Sequence, residues 1–162
     1  MVKFTNKQLE GMNRMLVENK IEKLCCFYVS DFHLEMILLP YINNKLDENI
    51  IIKTEKDLRD TVETLVSKMN LSKENKQRIL NLGWNRNEYK KIEEKSNIIV
   101  IGNKKYINDI NVEIKNENIR NMTVIDCYDF EETKDKMNTI MSNYSQSLNT
   151  AGFGKMKNLQ NS

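Results

Sequence analysis

Residues Leu24 to Thr54, LCCFYVSDFHLEMILLPYINNKLDENIIIKT, constrain the fold more than any other part of this chain, because they read as strand, helix, strand in direct succession. Leu24–Ser30 is apolar enough to be buried on both faces, the mark of a strand inside a parallel sheet. The chain then turns through Asp31, Phe32 and His33. A helical pattern follows in Leu34, Ile37, Leu38, Tyr41 and Ile42. Pro40, the sole proline, falls within that pattern and predicts a kink unless the helix starts late enough to hold it in the first turn. Asn49–Thr54 is β-branched without alternation, a second buried strand parallel to the first. This grammar places the only histidine, flanked by Asp31 and Glu35, just past the carboxyl end of the first strand. Ligands of open α/β sheets sit in that position.

The remaining pattern extends the same architecture. Thr5–Glu18 predicts an amphipathic helix with Leu9, Met12, Met15 and Leu16 on one stripe, opened by a capping box between Thr5 and Gln8. Thr54 reads as the cap of a helix reaching about Met69, with Leu58, Val62, Leu65 and Val66 inward. Ser72 opens another, with Ile79, Leu80 and Leu82 inward, ending at Gly83. Asn85–Lys95 is a polar stretch compatible with a short exposed helix or a loop. Asn97–Ile101 is a third buried strand, closed by Gly102-Asn103. Ile110, Val112 and Ile114 alternate with polar residues and predict a half-exposed strand, antiparallel or at an edge. Met122–Tyr128 is a further strand, and Phe130–Leu148 the last helix. The expected organisation is a single α/β domain over residues 1–148 and a polar, mobile tail over 149–162. Its fold class is three-layer, a mostly parallel sheet of about five strands with helices on both faces, RecA/Rossmann-like.

Composition excludes several classes of function. Lys and Arg total 25 against 23 Asp and Glu, interleaved along the chain, so no basic stripe selects nucleic acid. No segment is long and apolar enough for a signal peptide or a membrane span. Cys25, Cys26 and Cys127 lie in strand-like runs, the pattern of reduced, buried thiols, and a cytoplasmic setting is expected. Adjacent strand residues point to opposite faces, so Cys25-Cys26 is no redox pair. There is neither G-x-x-x-x-G-K-[ST] nor G-x-G-x-x-G, and no motif calls for a cofactor. Gly152-Phe153-Gly154-Lys155 follows a helical pattern and is too short for a phosphate loop. Gly102-Asn103-Lys104-Lys105 follows a strand and could meet an anion, though it reads first as a polar turn. Trp84, after Gly83, suits packing at a helix end, or an interface if exposed.

The sharpest local string is Ser30-Asp31-Phe32-His33. The simplest reading makes Asp31 the helix N-cap and His33 a helix-start residue whose ring bonds Asp31 or a backbone group. The functional reading makes them a pair that orients polar groups of a ligand at the mouth of the sheet. A strand ending in Asp-x-His also resembles the first metal motif of calcineurin-type metallophosphoesterases, and Ile101-Gly102-Asn103 is similar to that family's later strand–Gly-Asn turn. That resemblance implies a metal-dependent phosphoesterase with Asp31 and His33 as ligands. A two-metal site requires more ligands, and here Lys104 stands where that family has His.

Cys26-Phe27-Tyr28, then Leu38-x-Pro40-Tyr41-Ile42, Leu46 and Ile50-Ile51-Ile52-Lys53-Thr54 resemble the start of MEDS domains. These are sensory modules of methanogens and methylotrophs that also occur in other bacterial regulators. The resemblance covers about thirty residues and rests mostly on apolar and aromatic positions. It implies a RecA-type core without a phosphate loop and a non-catalytic sensory role. The expected ligand site is then the mouth at the strand carboxyl ends, lined by Tyr28, Asp31, His33, Lys53, Glu55 and Asn103. The expected partners are a small molecule or a protein, a homodimer included. A pure interaction module, using the N-terminal helix or the Trp84 region as its patch, is the remaining class.

Overall fold

The computed structural model describes residues 5–8, 21–85 and 90–155. Its centre is a six-stranded sheet in the order β2-β3-β4-β1-β5-β6. The strands are β1 (Ile21–Tyr28), β2 (Asn49–Thr54), β3 (Ser96–Ile101), β4 (Met122–Asp129), β5 (Gln146–Asn149) and β6 (Gly152–Lys155). The first five run parallel, and β6 returns antiparallel along β5. The fold class read from the sequence is therefore present. β1 lies between β4 and β5, aligned with β4 from Ile21↔Met122 to Tyr28↔Asp129. From β1 the chain crosses to the far edge at β2; from β4 it crosses the other way to β5. The crevice above β1 and β4 is thus the topological switch point of the sheet.

Helices cover both faces. On one lie α1 (Asp31–Asn44), α2 (Arg59–Lys68) and α3 (Lys73–Leu80), packed on Leu24, Cys26, Ile50, Ile52, Ile99 and Ile125. On the other, α4 (Lys104–Asn116) and the segment from Phe130 to Tyr144 cover Cys25, Ile51, Ile98, Val100 and Val124. Cys25 and Cys26 enter opposite layers, as strand alternation requires. Thr5 and Gln8 form the expected reciprocal capping box, 2.8 and 3.2 Å. The rest of the predicted helix 5–18 lies outside the described residues, as does 86–89 of the Asn85–Lys95 segment, whose remainder at 90–95 is a loop.

Four expectations require correction. Residues 110–114 belong to α4, where Ile107, Ile110 and Ile114 bury one helical stripe and Val112 faces out. Ile110 and Ile114, four apart, fit both periods, Val112 fits only the strand, and Ile107 extends only the helical stripe. Phe130–Leu148 is not one helix. It breaks into α5 (Phe130–Thr133), a 3₁₀ turn (Lys134–Lys136) and α6 (Met137–Met141), and ends in β5. The predicted tail begins inside the sheet, since Asn149 closes β5 and Gly152–Lys155 forms β6; residues 156–162 lie outside the described residues. Thr54 caps no helix. Its hydroxyl folds a local turn onto Lys56, and α2 starts only at Arg59 without a side-chain cap.

Other readings match the structure. Ser72 caps α3 through a 3.1 Å bond from the Asn75 N–H. Trp84 is buried, and its indole N–H donates to the Ile79 carbonyl at 2.9 Å, so it is packing and not a patch. Pro40 sits inside α1 on its exposed side, where water can serve the Met36 carbonyl that loses its helical partner.

Candidate functional site

Only two residues, Val29 and Ser30, separate β1 from α1. A turn this short has no slack to wrap a phosphate, so the backbone closes on itself. Ser30 is the N-cap of α1, its Oγ accepting the His33 N–H at 3.1 Å, which corrects the assignment of that role to Asp31. His33 returns the contact, its Nδ1 accepting the Val29 N–H at 3.0 Å. That bond fixes the tautomer with the proton on Nε2 and makes His33 a clasp on its own turn, the simplest of the roles its position allowed.

With the cap supplied by Ser30, the Asp31 carboxylate is free to reach across to the loop after β2. It accepts a 2.5 Å hydrogen bond from Lys56 Nζ, and the same ammonium lies 4.8 Å from the centre of the Tyr28 ring. Burial opposes the Lys56 charge, yet Asp31 and Tyr28 more than offset it and raise its pKa. Tyr28 is itself pushed up to about 12 by burial, with Lys56 working against the shift.

One turn on from Asp31 along α1 lies a buried acid. Glu35 is the second acid of α1 and has 0% exposure, although it lies one turn in from the helix start. Its Oε1 accepts the Thr61 hydroxyl of α2 at 2.6 Å, while Oε2 has no hydrogen-bond partner among the described residues. Burial pushes the carboxyl from 4.5 to about 7; the Thr61 bond and Lys56 pull it down and Asp31 adds to the rise. A second buried acid shows the contrast. Asp126 in β4 also has 0% exposure, but it accepts from Tyr144 Oη at 2.5 Å and Asn111 Nδ2 at 3.0 Å, with Lys23 Nζ at 3.5 Å. Asp126 is fully satisfied and ties β1, β4, α4 and the Tyr144 turn together. Glu35 is left with open capacity.

The six residues expected to line one mouth separate into distinct places. Tyr28 and Asp31 meet around Lys56. Glu55 and Asn103 meet at the tips of β2 and β3, where Glu55 Oε1 accepts the Asn103 N–H at 3.1 Å and Asn103 Oδ1 caps α4 through the Tyr106 N–H at 2.8 Å. Gly102 is needed there, since a Cβ would lie 2.5 Å from Tyr106 Cδ1 and 3.1 Å from Glu55 Cβ. Strand alternation turns Lys53 toward the opposite face from Thr54 and hence away from Asp31. His33 serves its own turn. No protein-family model, curated protein or solved structure matches the chain.

The residues of this candidate site that sequence reasoning passed over are Lys56, Thr61 and Glu35 as a buried group. Glu35 had a signal: it is the one acid within LEMILLPYI, and it shares a helical face with Leu38, Leu39 and Ile42. Among the described residues, no group of three or more His, Cys, Asp or Glu side chains gathers where it could hold a metal ion. Asp31 and His33, the pair the phosphoesterase resemblance would use, point their polar atoms at Lys56 and the Val29 N–H. The three cysteines are free and buried, and burial pushes Cys25 up to about 12 and raises Cys127 as well, so neither of these two offers a thiolate nucleophile. Among the described residues, no helix is long and apolar enough to cross a membrane.

Proposed function

We propose that this chain is a non-catalytic regulatory domain that senses a small ligand between the start of α1 and the loop after β2, at the carboxyl ends of the strands, through Glu35, Asp31, Lys56 and Tyr28. The observation that carries this reading is Glu35: a wholly buried carboxyl with one unpartnered oxygen, near a half-exposed ion pair whose two charges both act on it. Retaining such a group works against stability. It is expected at a site where a ligand supplies the missing donor once Lys56 and Asp31 part. The short turn and the acid in the first turn of α1 disfavour phosphate, which wants open amides and positive potential. The ligand class is therefore an organic molecule that presents a hydrogen-bond donor or a positively charged nitrogen. The MEDS-like opening over residues 24–54 agrees with a sensory role, and three free cysteines agree with a cytoplasmic one.

Native mass spectrometry of protein purified gently from its own cytoplasm tests the reading. The expected result is an organic adduct on the wild type that Glu35→Gln loses while keeping its fold. A stoichiometric divalent metal, released by Asp31→Asn, would overturn it in favour of a metal-dependent phosphoesterase.

A further inference from the structure

Helix α1 is apolar on its outer side as well as its inner one. Leu34, Ile37, Leu38, Leu39 and Ile42 enter the core. Outside, Phe32, Met36 and Pro40 follow at four-residue spacing along one line, with Val29 just ahead. Val29 is 64%, Met36 54% and Phe32 47% exposed. From Phe32 to Asn44 the only acid is Glu35, which is buried, and the only base is His33, which is tied to its own turn. The outer face of α4 shows what this chain does elsewhere: Lys104, Lys105, Asp109, Glu113 and Lys115 are all exposed. A solvent face of α1 without exposed charge is the character of a contact surface.

The shape of that surface selects its occupant. Phe32 and Met36 form a ridge. Beyond them, continuous through Pro40, the surface opens into a groove of about 400 Å³ between α1 and the β5–β6 turn, lined by the apolar Ile37, Pro40, Tyr41 and Leu148 and by the polar Asn44, Lys45 and Asn149. An apolar ridge and a largely apolar groove side by side on one face complement each other across a two-fold axis. We propose that a second copy of this chain covers α1, the ridge of each copy entering the groove of the other. Charge agrees with that pairing. Asp31 stands at the ridge end and Lys45 at the groove rim, and an antiparallel crossing brings the Asp31 of each copy toward the partner's Lys45 with the helix dipoles opposed. Each retains a partner in its own chain, Lys56 and Glu48, so this contact sets register more than strength. The apolar seam is separate from the ligand site, since Phe32, Met36 and Pro40 lie on the exposed side of α1 and Glu35 on its buried side; Asp31 alone is shared by the two, so Met36→Glu and not Asp31→Lys decides the dimer.

Sedimentation equilibrium of the purified full chain tests it. A monomer–dimer equilibrium is expected for the wild type. Met36→Glu should weaken it by a factor on the order of 100, because it places an unpaired charge in a desolvated seam. Val112→Glu, at the comparably exposed apolar position on α4, should leave it unchanged. Thermal melts of both variants confirm that an exposed substitution spares the fold. Register is read separately. Asp31→Lys and Lys45→Asp should each weaken self-association, and a mixture of the two proteins should dimerise again. A wild type monomeric at every concentration overturns the proposal. So does a dimer indifferent to Met36→Glu, which would place the contact elsewhere.

Discussion

Replacing Glu35 by Gln should make the protein more stable above neutral pH, and the gain follows from the position of one carboxyl. In the folded chain Glu35 titrates near 7, against 4.5 for a free glutamate, with burial the main cause. The folded-state value is raised, so the pH term has a definite sign. Below the lower value both states hold the proton and the term vanishes. Between the two, the unfolded chain releases its proton while the folded chain keeps it, so stability falls as pH rises. Above the upper value the whole loss is present. At about 1.36 kcal/mol per pH unit, the distance between the two values corresponds to roughly 3 kcal/mol. Gln keeps the Thr61 bond through Oε1 but places an N–H where Oε2 lacked a partner, which takes back about 1 kcal/mol. The net expectation is a gain of about 2 kcal/mol at about pH 8, or about 4–8 °C in Tm for a chain of this size. Near pH 4, where the pH term vanishes, only the cost of the unpartnered N–H remains and the variant should be about 1 kcal/mol less stable than the wild type. Urea unfolding followed by Trp84 fluorescence across that range measures it. A variant no more stable than wild type at alkaline pH, or a difference independent of pH, would refute the placement of Glu35.

Other outcomes follow from the same contacts. Ser30→Ala should cost about 1 kcal/mol in urea unfolding, because the cap of α1 is lost, whereas Asp31→Asn should leave that cap intact. Tyr144→Phe should destabilise by about 1–3 kcal/mol, since it removes the 2.5 Å donor to buried Asp126 and the partner of the Tyr128 hydroxyl; an unchanged midpoint would show the network to be slack. The three buried thiols should resist a thiol reagent at mildly alkaline pH in the folded protein and react together on unfolding; fast native labelling of any one would contradict their burial.

The parallel sheet was legible because its strands are continuous apolar runs, and such runs fit few other environments. Asn49–Thr54 and Met122–Asp129 needed no tertiary information to be read as buried strands. The errors fell where two periodicities overlap or where local chemistry is weak. Ile110 and Ile114 satisfy a strand and a helix alike, Val112 between them suggests the strand, and the burial of Ile107 one turn earlier decides for the helix. The 130–149 region carries helix-forming residues but breaks twice, and Gln146–Asn149 becomes a strand because β1 presents an open edge for it to pair. That partner is more than a hundred residues away in sequence, so no local window registers it.

The candidate site was legible in its location and not in its wiring, and α1 shows why. Asp31 fits an N-cap as well as Ser30 does by residue type; the one-residue difference depends on where the backbone leaves the helical region, which the pairing of β1 with β4 sets. Asp31 is then released to pair with Lys56, a residue twenty-five positions on that no spacing rule connects to it. Glu35 lies in the next turn, on the side α2 covers, so the helix buries its acid and shows water its Phe and Met. Stability alone favours the reverse, because each exposed apolar side chain forgoes its burial and the buried acid loses its hydration. A chain that follows the ordinary pattern on α4 and inverts it on α1 has placed two unfavourable features on one helix. A ligand that supplies the donor missing at Glu35 would relieve one of them, and a second copy that covers Phe32 and Met36 would relieve the other.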